Sequence, residues 1–172
     1  MQPTAEKFTE KAWAAIISAQ QLAQQHKQQQ LETEHLLLSL LEQNGLAGRI
    51  LEKAGVLIGN LQTELETYLQ KQPTLQAAPE SIYLGKAINT LLDHAEQHKK
   101  AFGDSFISIE HLLLALAEDK RCGRQLLSQA GVDAGKLKVA IDAVRGNQKV
   151  TDQNPEGTYE SLEKYGRELT AA

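Results

Sequence analysis

Apolar residues recur along the chain at intervals of three and four, a pattern that indicates helices with one buried face. The first helix is predicted from about Ala5 or Thr9 to Lys27, where the buried stripe consists of Phe8, Ala12, Ile16, Ala19 and Ala23. No stretch of convincing length alternates apolar and polar residues as a half-buried strand does. The pattern therefore predicts an all-α fold.

Seven further helices are predicted, separated by short loops. They cover approximately residues 34–43, 46–54, 58–70, 83–101, 110–119, 121–130 and 134–145. Leucines cover much of the circumference of the helix at 34–43, so we expect it to be the buried centre of its unit. Thr4 or Thr9 and, later, Asp133 are candidate N-caps, and Gly55 stands where a left-handed residue ends a helix.

The second half of the chain repeats the first at a fixed offset. The pentapeptide EHLLL at 34–38 returns 76 residues later at 110–114, and the same offset relates AGV at 54–56 to AGV at 130–132. An ungapped offset over several helical periods indicates a duplicated unit. We therefore predict two tandem four-helix units packed about a pseudo-two-fold axis. The first covers about 5–71, a proline-containing linker covers 72–82, and the second unit covers about 83–146.

The residues after position 146 differ from those before it. They are polar and rich in helix breakers up to Gly157, and only a short helix is possible from Tyr159 to Leu169. Such a helix would offer few apolar side chains for burial. We interpret 147–172 as a linker whose packing partner is not in this chain.

Composition restricts the class of protein. Of the 172 residues, 41% are hydrophobic and 23% are charged, and the net charge of −4 argues against a nucleic-acid binder. There is neither a basic signal-peptide region nor an apolar run of the ~20 residues that span a bilayer. The single Cys122 cannot form an internal disulfide. These features predict a cytoplasmic protein that binds neither nucleic acid nor membrane.

Histidines are the first candidates for chemistry. His35 and His111 occupy equivalent positions in the two units, each beside leucines, and His94 and His98 stand four apart on one helix. Neither arrangement supplies the third ligand that a metal site needs. A free-standing helical metal or hydrolytic protein would rest on these histidines alone, and we interpret them as structural or surface residues.

Other candidate motifs give no enzyme signature. The segment GVDAGK at 131–136 has its glycines too close together for a phosphate loop, and Leu137 stands where a Ser or Thr would hold magnesium. Cys122 has no neighbouring base. Asp104 and Glu110 flank a helix start, where acids favour the helix dipole without any further role. No metal or cofactor is predicted for this chain.

Four segments resemble a known family. FTEKA at 8–12, EHLL at 34–37, AGV at 54–56 and ISIEHLL at 107–113 are similar to the Clp repeat N-terminal domain of the AAA+ unfoldases. The resemblance covers about residues 3–146. GDSFIS at 103–108 is similar to the disaggregase (ClpB-type) branch, and YESLEKYGRELT at 159–170 resembles the lead-in to its first ATPase module. The resemblance thus implies an N-terminal domain at 1–146, followed at 147–172 by a linker and lead-in to an absent ATPase module.

The resemblance also implies a function. The parent would be a homohexameric ring that uses ATP and Mg²⁺ to disaggregate proteins with the DnaK-type chaperone system. This part would recruit unfolded or aggregated proteins weakly, without being an enzyme. In the family, polar substrate-binding positions match Thr9, Asp104 and Glu110, beside an apolar patch for which Leu92 and Phe106 are candidates. The alternative is the same fold docking adaptor proteins in a protease-linked Clp unfoldase.

Overall fold

The computed structural model describes residues 3–157 and residue 159. That part of the chain contains eight longer α-helices, a 3-10 helix (Ala5–Lys7), a helical turn at 155–157 and two short strands. The helices are α1 (Glu10–Gln25), α2 (Thr33–Glu42), α3 (Leu46–Lys53), α4 (Ile58–Gln70), α5 (Lys86–Phe102), α6 (Ile109–Ala117), α7 (Gly123–Gln129) and α8 (Ala134–Arg145). The all-α prediction is confirmed, and the bounds of α4 and α8 are those predicted. None of the described helices is long and apolar enough to cross a membrane.

Local side-chain chemistry explains where several helices begin and end. The Thr9 hydroxyl accepts a hydrogen bond from the Ala12 N–H at 3.2 Å, which caps α1. Asp133 caps α8 in the same way through the Lys136 N–H at 2.8 Å. Helix α5 ends at Gly103, whose φ of 71° lies in the left-handed region that glycine adopts without steric cost.

Two short strands, which the sequence did not predict, connect the two units. Strand β1 (Gln30–Leu31) pairs in parallel with β2 (Tyr83–Leu84), and an isolated parallel bridge joins Phe8 to Ile107. The strand β2 replaces the first turn that was predicted for α5. Two residues are too few to show an alternating pattern, which is why the sequence did not reveal them.

These two pairings are equivalent under the internal repeat. The offset of 76 relates Phe8 to Leu84 and Leu31 to Ile107. The Thr9 N–H donates to the Ile107 carbonyl at 2.9 Å, and Gly85, which is equivalent to Thr9, donates to Leu31 at 2.9 Å. Each unit therefore pairs the segment before its first helix with the segment before the central helix of the other unit.

The central helices of both units are buried, apart from Glu42 at the end of α2. Every residue of α2 up to Leu41 and every residue of α6 is buried, and one hydrophobic core runs through both units. Helix α1 packs on α2, and α5 packs on α6 in the same way. The predicted burial of α2 is confirmed. It also places the acids and histidines in the first turns of α2 and α6 inside the protein.

The described residues after Arg145 pack against the segment before α1 and the loop before α6, so the interpretation that their packing partner is not in this chain is wrong for this stretch. Val150 and Glu156 have no exposed surface, and Tyr159 is 1% exposed. We call residues 147–157 the strap. The rest of the predicted lead-in, residue 158 and residues 160–172, lies outside the described residues.

Candidate functional site

A buried histidine organises the start of α6. His111 Nδ1 accepts a hydrogen bond from the Ser108 backbone N–H at 2.8 Å, so the ring proton must be on Nε2. That Nε2–H donates to Asp104 Oδ2 at 2.7 Å. The histidine thus closes the turn before the helix and holds one carboxylate in place.

His35 has the same contacts at the start of α2. Its Nδ1 accepts from the Glu32 backbone N–H at 2.9 Å, and its Nε2–H donates to the side-chain oxygen of Gln28. Burial lowers the pKa of His35 to about 4, so the ring is neutral at physiological pH. These contacts give the paired histidines a structural role. Among the described residues, no three His, Cys, Asp or Glu side chains are placed to hold a metal ion.

Asp104 is the centre of a buried ion-pair network. Arg145, the last residue of α8, donates to its two carboxylate oxygens at 2.7 and 2.8 Å, and the Val150 N–H donates at 3.0 Å. Burial alone would raise the pKa of Asp104. Hydrogen bonds from His111, Arg145 and Val150 outweigh burial and hold that pKa well below its usual range. Asp104 is therefore ionised at physiological pH.

Glu110 shares the same cation but is less well satisfied. Its side chain has no exposed surface, and Arg145 Nη1 lies 3.4 Å from Oε2. Neither carboxylate oxygen has a hydrogen-bond partner among the described residues. The guanidinium also lies 4.7 Å from the Phe102 ring centre and 5.7 Å from that of Tyr159. One arginine therefore compensates two buried carboxylates.

Thr9 contacts the strap at the N-terminus of α6. Its hydroxyl donates to Glu156 Oε2 at 2.6 Å, and the same oxygen accepts from the Ile109 N–H at 3.2 Å. Burial raises the pKa of Glu156 to about 7; the Thr9 hydrogen bond opposes this shift, and the neighbouring Glu110 adds to it. The strap thus supplies a carboxyl group to a helix end that favours negative charge.

Main-chain groups hold the rest of the strap. The Ser105 N–H donates to the Val150 carbonyl at 2.7 Å, and the Glu10 N–H donates to the Gln153 carbonyl at 2.8 Å. The Gln153 side chain donates to the Phe8 carbonyl at 3.0 Å. Much of this attachment uses peptide groups, which every polypeptide possesses.

The structure brings together three of the five predicted site residues. Asp104 and Glu110 share Arg145, Thr9 bonds Glu156 of the strap, and all three predicted residues are buried. Leu92, 1% exposed, belongs to the hydrophobic core on α5. Phe106 is half-buried against that core in the loop before α6.

Arg145 and Glu156 are central to the network, and the sequence analysis did not identify them. The offset of 76 places Arg145 at the position of Leu69, which is buried on α4. A charge at an inward position of the fourth helix was a usable sign of a buried ion pair. The offset of 76 relates Pro155 and Glu156 to Pro79 and Glu80, but Glu80 is exposed, so its sequence position alone did not indicate that Glu156 is buried.

Comparison with known proteins agrees with this architecture. Residues 7–127 match the Clp repeat (R) N-terminal domain. Over its whole length the chain is 69% identical to Chaperone protein ClpB 1 of Parasynechococcus marenigrum (strain WH8102) and 55% identical to Chaperone protein ClpB 2 of Nostoc sp. (strain PCC 7120 / SAG 25.82 / UTEX 2576). It spans 20% of the length of each of these relatives.

A solved structure has the same fold. The Hsp104 N-terminal domain from Candida albicans aligns with a TM-score of 0.79 and 25% identity, covering 88% of this chain and 99% of that one. The resemblance noted in the sequence is therefore confirmed by both the relatives and the fold. The chain belongs to the Clp repeat N-terminal domain family, in its ClpB-type branch.

Proposed function

We propose that this domain recruits unfolded or aggregated polypeptide to a ClpB-type disaggregase, at the face formed by Thr9, Asp104 and Glu110. The observation that supports the proposal is that this face already binds a segment of the chain, the strap, largely through main-chain groups. Peptide groups of Val150 and Gln153 make three of the contacts. Because peptide groups are common to all sequences, such a face suits a sequence-tolerant binder.

The strap and a client compete for this face. With the strap in place, Thr9 and Glu110 have no exposed surface, and the Asp104 side chain has none either. A client can reach these groups only when the strap leaves. The apparent affinity for a client is therefore the intrinsic affinity of the uncovered face multiplied by the fraction of molecules in which the strap has left it.

The wider function follows from the ClpB-type relatives and is part of the same proposal. The parent acts in the cytoplasm as a homohexameric ring that uses ATP and Mg²⁺ and works with the DnaK-type chaperone system. Each domain binds its client weakly, because an unfolded chain loses conformational entropy when it is ordered. Several copies on one ring compensate through avidity.

An NMR titration of the chain with an unfolded model polypeptide, without nucleotide, tests the site. We expect shifts at the amides of Thr9, Asp104 and Glu110, together with faster hydrogen exchange at the Val150 amide as the strap is displaced. Exchange at core amides of α2 should not change, which controls for general unfolding. Shifts confined to other surfaces, with the strap still protected, would contradict the proposed site and leave adaptor docking as the better function.

A further inference from the structure

A cleft at the start of α2 occupies the position that is equivalent to the strap-covered face at the start of α6. Its volume is about 510 Å³, and its lining includes Gln28, Glu32, Glu34, His35, Tyr83 and Arg121. Under the offset of 76, the first four correspond to Asp104, Ser108, Glu110 and His111. The cleft therefore shares its framework with a surface that binds another segment of this chain, the strap.

The linker leaves this cleft open. Gln72 and Pro73 correspond to the strap residues Gln148 and Lys149, so the two segments start alike. The Leu75 N–H then donates to the Lys27 carbonyl at 2.7 Å, and the chain continues to β2. Glu80 of the linker is equivalent to Glu156 under the offset of 76, but its side chain is exposed, whereas Glu156 is buried.

Gln28 presents a hydrogen-bond donor that has no partner. Its residue is 8% exposed, and its Nε2 makes no hydrogen bond within the described part of the chain. The orientation of the amide is determined by His35, whose Nε2–H must meet the Gln28 oxygen because Nδ1 already accepts from Glu32. The amide nitrogen is thus left for a ligand, and a buried donor without a partner is costly.

Glu32 has a buried hydrogen-bond acceptor that likewise lacks a partner. Its Oε1 is buried and has no hydrogen-bond partner among the described residues, whereas Oε2 lies 3.2 Å from Arg121 Nη1. A Cβ on Gly85 would lie 1.8 Å from Oε1, so at the start of α2 this carboxylate fills the space that the side chain of the equivalent residue, Thr9, has at the start of α6. At the start of α2 the buried carboxylate is thus that of Glu32, whereas at the start of α6 it is that of Glu156 in the strap.

The charges of the cleft restrict its ligand. Arg121 donates to both oxygens of Glu34 at 2.9 and 3.0 Å, and also pairs with Glu32. Two carboxylates face one guanidinium, so an acidic ligand is disfavoured. A peptide group offers both a carbonyl for the Gln28 amide and an N–H for Glu32 Oε1. Tyr83, 59% exposed, adds an aromatic wall.

We propose that this cleft is a second site for extended polypeptide, which binds an uncharged or basic segment through its main-chain peptide groups. The inference rests on the proposed function, because it assigns part of the same client to the first unit. The second site differs from the first because a client can enter the cleft without displacing the strap. The domain then binds a client at two equivalent places: the open cleft at the start of α2, and the face at the start of α6 that the strap covers.

The test is an NMR titration of the full chain with an unstructured peptide that contains no Asp or Glu. The side-chain NH₂ signal of Gln28 is expected to shift as the peptide binds. Tyr83→Ala removes the exposed aromatic wall and is expected to weaken binding roughly fivefold. Leu57→Ala, which truncates a side chain that is 69% exposed and lies outside the cleft, is the matched control and should bind as the unaltered chain does.

The Thr9→Val variant separates this inference from the proposed function. Shifts at Gln28 that persist in Thr9→Val and weaken in Tyr83→Ala would support the second site. Shifts around Thr9 and Asp104 with none at Gln28 would overturn the second site and leave the proposed function standing. Shifts at Gln28 alone would support the second site and contradict the first. An absence of shifts at both places would overturn both.

Discussion

Replacing Arg145 by leucine is expected to lower the free energy of unfolding by roughly 3–5 kcal/mol, because both buried carboxylates then lose their cation. Arg145 bonds Asp104 at 2.7 and 2.8 Å and lies 3.4 Å from Glu110. Leucine is the chosen replacement because Leu69 occupies the equivalent position of the first unit. Urea unfolding followed by far-UV circular dichroism measures the change.

Two controls show whether the loss comes from unpaired charge. Arg124→Leu removes an exposed arginine and is expected to change stability by less than about 0.5 kcal/mol. Adding Asp104→Asn and Glu110→Gln to Arg145→Leu should restore part of the loss, because the buried groups are then neutral. A loss below about 1 kcal/mol for Arg145→Leu would show that the network is not a major source of stability.

Replacing Glu156 by alanine is expected to raise client affinity about tenfold. The change removes the acceptor of two buried hydrogen bonds, from the Thr9 hydroxyl and the Ile109 N–H, and so weakens strap binding. Glu156→Gln is the matched control, because its side-chain oxygen can still accept both bonds. Fluorescence anisotropy of a labelled unfolded polypeptide measures affinity, and equal affinities for the two variants would contradict a strap that competes with clients.

The same carboxyl makes strap binding depend on pH. With the strap bound, the pKa of Glu156 is about 7, against an ordinary value of 4.5, so the bound state favours the protonated form. Strap binding is then fully favourable below about pH 4.5 and weakens as pH rises through 7, by at most about 3 kcal/mol. Client affinity should therefore increase from pH 6 to pH 8.

Asp104, which also lies beneath the strap, does not produce this trend. The pKa of Asp104 lies well below its usual range, so Asp104 stays ionised throughout the interval. A client without histidine removes titration on the ligand side. Glu156→Gln cannot ionise at this position and should show affinity that is independent of pH between 6 and 8. A pH dependence that survives in Glu156→Gln would assign the effect to another group.

The helical fold could be read from the sequence because its determinants are local. Apolar spacing and the duplicated offset located all eight helices, and the Thr9 and Asp133 caps lie where their side chains indicated. The pairing of Leu31 with Leu84 could not be read in this way. It depends on contacts between distant segments of only two residues each.

The site could be predicted only in part. Asp104 and Glu110 were identified through family resemblance and their place at a helix start, but their burial depends on Arg145 and the strap, which lie 35 or more residues away along the chain. The strap is polar in composition, and its buried Glu156 resembles any solvated glutamate when seen in sequence. Burial of such a group is a property of the tertiary partners that surround it.

The reciprocal pairing of Phe8 with Ile107 and of Leu31 with Leu84 bears on the origin of the fold. A chain with only one repeat would leave the segment before its first helix and the segment before its central helix without partners. A second copy of that chain would supply both through the same two-fold arrangement. The present protein therefore has the form of an ancestral homodimer whose two subunits became one polypeptide by gene duplication and fusion. Once they were fused, each half was able to diverge, which left one face under its own strap and the other open.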